Sequence, residues 1–179
     1  VIYTTCAACH GHNAEGMKAF HAPAIANQES WYLKQQLNNF RMGRRGKHED
    51  DVYGATMLTI ANVLPNEEAV DMVTTYIGML PHVKTEKTLE GNVENGKNYY
   101  DMICGSCHGP GAVGNAALHS PALIGMNDWY LKLQIENFRA GIRGTHPDDL
   151  HGIQMREMAE SIPDDASILD VVAYIQSLQ

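Results

Sequence analysis

Apolar positions recur at helical spacing twice along the chain. Leu33, Leu37 and Phe40 fall on one helix face, and Leu131, Ile135 and Phe138 repeat the pattern. A second stripe, Val70, Val73, Ile77 and Leu80, returns as Ile168, Val171, Ile175 and Leu178. Ser30 in the first copy, and Asn127-Asp128 in the second, offer an N-cap for the first of these helices. Glycines after Phe40-Arg41 and Phe138-Arg139 stop it. Pro65-Asn66-Glu67-Glu68 and Pro163-Asp164-Asp165 open the terminal helix, with acids at its positive end. Between the helices, Lys47 to Met57 and Thr145 to Met155 lack strong periodicity and read as loops, each carrying a methionine to the same place. The expected architecture is all-α.

Each element thus occurs twice, 98 residues apart, and the same offset aligns His10 with His108, Pro23 with Pro121, Trp31 with Trp129 and Met57 with Met155. A constant register over that distance predicts a duplicated unit: residues 1–83 and 93–179 as tandem domains, joined by a polar linker at 84–92. Each domain falls below about a hundred residues, where an apolar core alone is marginal and a bound group often supplies the missing stability. The chain without such a group is expected to be molten or unfolded. Hydrophobic content of 44% with 19% charged residues fits a soluble globular protein. No run approaches the roughly 18 apolar residues of a membrane span. A net charge of −8 argues against nucleic acid and suits a basic docking patch on another protein.

The candidate chemistry lies in Cys6-Ala-Ala-Cys9-His10 and Cys104-Gly-Ser-Cys107-His108. C-x-x-C-H is the attachment pattern of c-type haem: two sulfurs on one short helical stretch form thioethers with the porphyrin, and the adjacent histidine turns to the iron. A redox dithiol needs no trailing histidine, and a zinc site would bring its cysteine pairs closer together. All four cysteines lie in the motifs, so none remains for a disulfide. Covalent attachment is completed on the oxidising side of a membrane, so a bacterial periplasm is the expected compartment. The helix leading into Cys104, from Glu94 to Tyr100, has no full counterpart before Cys6, so a segment that carried a signal or anchor is expected ahead of Val1.

Proximal ligation by His10 and His108 leaves the second axial position to be filled. Of nine methionines only Met57 and Met155 are partners at the offset, each 47 residues after its histidine, and they are the expected distal ligands. The paired histidines His48 and His146, or His21 and His119, are the rival donors. The carbonyls of Pro23 and Pro121 are candidates to accept the second ring N–H of each proximal histidine. Arg41, Arg45, Arg139 and Arg143, with Trp31, Tyr32, Trp129 and Tyr130, are candidates to contact haem propionates.

With these motifs in hand, the chain resembles the cytochrome c4 family of tandem dihaem class I cytochromes. The resemblance rests on the paired C-x-x-C-H motifs and on Pro-Ala-Ile and Pro-Ala-Leu after them. It extends to Trp-Tyr-Leu-Lys with Phe-Arg-x-Gly-x-Arg-Gly, to Met-x-x-x-Ala at Met57–Ala61 and Met155–Ala159, and to the terminal helices at Tyr76–Leu80 and Tyr174–Leu178. It implies two cytochrome c domains related by a pseudo-two-fold axis, with one covalent haem each and propionates facing across the interface. It also implies periplasmic electron transfer between redox proteins, such as a quinol-oxidising donor and a terminal oxidase or reductase. The alternatives are an electron-entry dihaem subunit or domain of a larger oxidoreductase, and a dihaem peroxidase; the equal treatment of both copies argues against the peroxidase.

Overall fold

The structure, a computed structural model, describes residues 3–179. What precedes Val1 lies outside the described residues. Among those residues the regular structure is helical, with only two isolated bridges, Met17 with Ala22 and Asn115 with Ser120. The first half contains α1 (Thr4–His10), α2 (Ser30–Arg41), α3 (Val52–Ala61) and α4 (Glu67–Gly78). The second contains α5 (Val93–Tyr99), α6 (Gly105–His108), α7 (Asp128–Arg139), α8 (Leu150–Glu160) and α9 (Asp165–Ser177).

The two amphipathic stripes bury as the periodicity predicts. Leu33 and Phe40 of α2, with Val70, Val73 and Ile77 of α4, are buried in the first half. Leu131, Ile135 and Phe138 of α7, with Ile168, Val171 and Ile175 of α9, form one cluster in the second. Asn66 and Asp164 cap the terminal helices, their side-chain oxygens accepting from Ala69 N at 2.9 Å and Ser167 N at 2.8 Å.

Three features depart from the sequence reading. The methionine segments are not loops throughout: α3 and α8 begin at Val52 and Leu150, so Met57 and Met155 stand on helices. Asp51 and Asp149 start them, each accepting a hydrogen bond from the backbone three residues on, at Gly54 and Gly152. The expected repeat register also slips by one residue ahead of the cysteines. Tyr3 and Tyr100 play one role, packing on Tyr76 and Tyr174 and donating to the carbonyls of Gly11 and Gly109. Yet Tyr3 stands three residues before Cys6 and Tyr100 four before Cys104. The extra residue is absorbed by a π-helical turn at Tyr100–Cys104: Gly105 N bonds Tyr100 O, where Ala7 N bonds Tyr3 O in an ordinary α-turn.

The third departure is the connecting segment, which is polar in composition but firmly held. Thr85 is buried and donates to Met126 O, and Asn92 N donates to Asp170. Asp128, fully buried, accepts from Thr88 N, Thr88 Oγ1, Leu89 N and its neighbour Trp129 N. Gly96 then lets α5 cross α9 at backbone contact, since a Cβ there would collide with the Asp170 carbonyl.

Candidate functional site

Each C-x-x-C-H motif ends a short helix at a glycine with positive φ, Gly11 at 83° and Gly109 at 77°, which turns the chain away directly after the histidine. The loop then returns to place a proline carbonyl against the imidazole. His10 Nδ1 lies 2.8 Å from Pro23 O, and His108 Nδ1 lies 2.8 Å from Pro121 O. A carbonyl only accepts, so Nδ1 carries the proton and the Nε2 lone pair is left free for a metal. Burial holds both imidazoles below the ordinary histidine pKa, against a smaller opposing effect of the proline carbonyls, and so keeps them neutral.

In the second half these groups converge on one cavity of about 1260 Å³, counting its open mouth. Cys104, Cys107, His108, Pro121, Tyr130, Arg143 and Met155 all line it. Its remaining wall is largely apolar, from Leu123, Leu131, Ile135, Phe138 and Val171. Such a cleft, apolar with a few convergent polar groups, is the form a cofactor site takes. None of the four cysteines is in a disulfide. Met57 stands at the position of α3 matching Met155 on α8, and both are half-buried.

The other residues singled out from the sequence separate into two groups. Arg45 and Arg143 are buried, stack on Phe40 and Phe138 at 4.6 and 4.4 Å, and reach across to the other half. Arg45 donates to Tyr130 Oη at 2.9 Å, and Arg143 to Tyr32 Oη at 3.2 Å. Their Nε atoms are buried without a hydrogen-bond partner among the described residues. Arg41 and Arg139 instead pair with the exposed carboxylates of Glu67 and Asp165. Trp31 and Trp129 meet His119 and His21 edge-on across the interface, each at 5.9 Å. His48 and His146 sit in turns, where their Nδ1 atoms accept from Asp50 N and Asp148 N.

Sequence reasoning passed over Gln36 and Gln134, which accept from both arginines. It also passed over Asn27 and Gln28, which bond Gly125 O and Ala122 O across the interface. The glutamines carried a usable signal, since they too are partners at the 98-residue offset.

A profile of the Cytochrome c family matches residues 1–80 and again 93–179. The chain belongs to the cytochrome c family. It is 32% identical over 169 residues to a thiosulfate dehydrogenase electron acceptor from Stutzerimonas stutzeri, covering 87% of this chain and 72% of that one. It is 26% identical over 183 residues to cytochrome c4 from Thiocapsa roseopersicina, covering 97% and 86%. Its fold matches the cytochrome c4 structure from Acidithiobacillus ferrooxidans with a TM-score of 0.76 over 98% of this chain and 99% of that one, at 20% identity. The protein is therefore a tandem pair of cytochrome c domains of the cytochrome c4 kind, binding one covalent haem c in each, and Cys6/Cys9 and Cys104/Cys107 fit the attachment motif. The site suits that group: two cysteines outside any disulfide, a neutral imidazole with an open Nε2, an apolar cleft and buried guanidinium N–H groups lacking an acceptor among the described residues. It is an electron carrier of that family. No helix among the described residues is long and apolar enough to cross a membrane.

Proposed function

We propose that the protein carries electrons one at a time between redox proteins of the bacterial periplasm, and that a histidine and a methionine of each domain would hold the haem iron. His10 and Met57 serve the first haem, and His108 and Met155 the second. The observation that supports this most is that His108 and Met155 line one cavity while the Pro121 carbonyl holds the imidazole with its Nε2 lone pair free. When bound, the haem would supply reversible iron oxidation; the chain's residues would hold it, orient the proximal imidazoles and exclude water. A methionine thioether as second ligand would raise the potential and would leave no open iron site for peroxide or oxygen. Pro23 and Pro121 position the proximal imidazoles, and Arg45, Arg143, Tyr32 and Tyr130 are the groups best disposed to meet propionates.

Thiosulfate dehydrogenase is the electron donor we favour, since the relative from S. stutzeri is named as the acceptor of such an enzyme. The acceptor is a further redox protein, such as a terminal oxidase or reductase. In the ferric protein the far-red charge-transfer band of methionine-ligated haem is expected from both centres. Met57→Ala and Met155→Ala should each remove about half of it, the share of one haem in two. A wild-type spectrum without that band would sink the methionine assignment. Failure of thiosulfate with its dehydrogenase to reduce the purified protein would exclude that donor.

A further inference from the structure

Arg45, Arg143, Gln36 and Gln134 form a closed ring across the interface. Arg45 donates to Gln36 Oε1 at 2.9 Å and to Gln134 Oε1 at 2.8 Å, while Arg143 donates to the same two oxygens at 2.9 and 2.7 Å. Each guanidinium is thus bonded to a glutamine of its own half and a glutamine and tyrosine of the other. Both arginines are only 8% exposed, and among the described residues neither forms an ion pair. The buried Asp51 carboxylate acts on Arg45 through space without bonding it, so two like charges held by shared neutral acceptors still lack a directly bonded anion, an unfavourable arrangement unless anions complete the site. The unpartnered Nε atoms leave donors for such anions. Both guanidinium groups act on Tyr130: burial alone would raise its phenol, yet Arg45 and Arg143 outweigh burial and the opposing charge of Asp51 and hold that phenol below its ordinary pKa.

The ring also mixes the two halves at the cavity itself. Tyr32, Gln35 and Gln36 of the first half line the cavity of the second, beside Tyr130, Gln134 and Arg143. A carboxylate entering there meets the bonded network of both domains rather than one. We infer that Arg45 and Arg143 form a single cationic site shared by the propionates of both haems, so that each arginine raises the reduction potential of the haem in the other domain as well as its own. This rests on the reading that haem c fills both domains with propionates toward the interface. A positive charge near the iron disfavours the ferric state, so removing it lowers the potential.

The test is potentiometry of the haem-loaded protein, with the two haems told apart by the proton NMR signals of their ligands, assigned from the Met57→Ala and Met155→Ala proteins. Arg45→Gln is expected to lower both potentials, the ferrous-to-ferric ratio of each haem at fixed ambient potential falling about three- to tenfold, the scale of one partly buried charge. Arg143→Gln should do the same from the other side. Arg45→Lys keeps the charge and should restore most of the ratio, while Arg41→Gln, whose partner is the surface carboxylate of Glu67, should move neither haem. If Arg45→Gln and Arg143→Gln each shift only their own domain's haem, sharing is overturned and propionate contact survives. If neither haem moves, propionate contact falls too. Gln36→Leu retains both charges, so a loss as large as that in Arg45→Gln would show packing rather than charge at work and overturn the proposal.

Discussion

The two halves of the molecule share motif, ligand register and helix order, yet they differ in charge. Residues 1–83 carry six Lys/Arg and eight Asp/Glu, whereas residues 93–179 carry five and eleven, so most of the net −8 lies in the second half. The contrast is sharpest on the helices that bear the methionines. No charged residue occurs from Val52 to Pro65, and α3 exposes Val52, Tyr53, Thr56 and Thr59. The matching face of α8 exposes Leu150, Gln154, Glu157 and Met158, with Gln154 and Met158 at the rim of the cavity. The ring stacked on each loop histidine differs as well: His21 lies on Tyr53 at 3.9 Å, but His119 lies on His151 at 4.3 Å. The two halves have therefore kept the attachment motif and the positions around it while their surface charge diverged. The former is constrained by coordination geometry, whereas surface charge governs encounter and can drift toward a partner without disturbing the core.

The largest expected difference between the halves concerns the connecting segment, which the second half holds through Met126, Asp128 and Asp170, while the first adds one exposed bond from Lys18 Nζ to Thr88 Oγ1 at 3.3 Å. Asp128→Ala would leave the part-buried N–H groups of Thr88 and Leu89 without an acceptor, and should destabilise the C-terminal domain by about 2–3 kcal/mol. Its counterpart Ser30 makes one hydroxyl bond to Thr74 O at 3.2 Å, so Ser30→Ala should cost the N-terminal domain about 1 kcal/mol or less. Denaturant unfolding followed at each haem separates the two; equal losses would show that the segment does not distinguish the domains.

A smaller effect is expected at the surface. Among the described residues Glu157 has no counter-ion, whereas the nearby Glu160 is paired with Arg156 at 3.6 Å. Glu157→Gln with Asp148→Asn should slow oxidation of the C-terminal haem by a cationic cobalt complex about two- to fivefold at low salt, and the gap should close as salt is added. Thr59→Glu should confer the opposite change on the N-terminal haem. An unchanged rate in both would mean that the charge contrast does not steer docking.

The smallest effect is at the helix caps. Asn66 is neutral, but Asp164 is ionisable and held below the ordinary carboxylate pKa by hydrogen bonds from Ser167. A carboxylate depressed in the folded state stabilises above its unfolded pKa of about 3.9 and loses that contribution as pH falls through the lower folded value. The melting temperature of the C-terminal domain should thus fall more between pH 6 and pH 3 than that of Asp164→Asn, read by circular dichroism. Parallel falls would remove this cap from the comparison.

The haem-attachment motifs were legible from spacing. The prediction that proline carbonyls face the histidines is matched by the two 2.8 Å contacts. The helices α3 and α8 were not legible, because Val52, Tyr53, Met57, Leu58 and Ile60 do not gather on one face, and α8 mixes apolar and charged residues all round. Their start depends on an aspartate folding back onto a backbone N–H, a local bond that periodicity does not register. The connecting segment read as loose for a related reason: its backbone donors are satisfied by Asp128, some forty residues further on.

By itself the sequence determined that there are two haem-attachment motifs, one histidine beside each, and one methionine in register with each copy. Those features are local or repeated, so they survive translation into spacing. Only the tertiary structure decided that the halves share a ring of arginine and glutamine, since Arg45 meets Tyr130 and Arg143 meets Tyr32 from 85 and 111 residues away. The hydrogen bonds of that ring exist only once two folded surfaces are apposed, and no periodicity along one chain records which faces will meet.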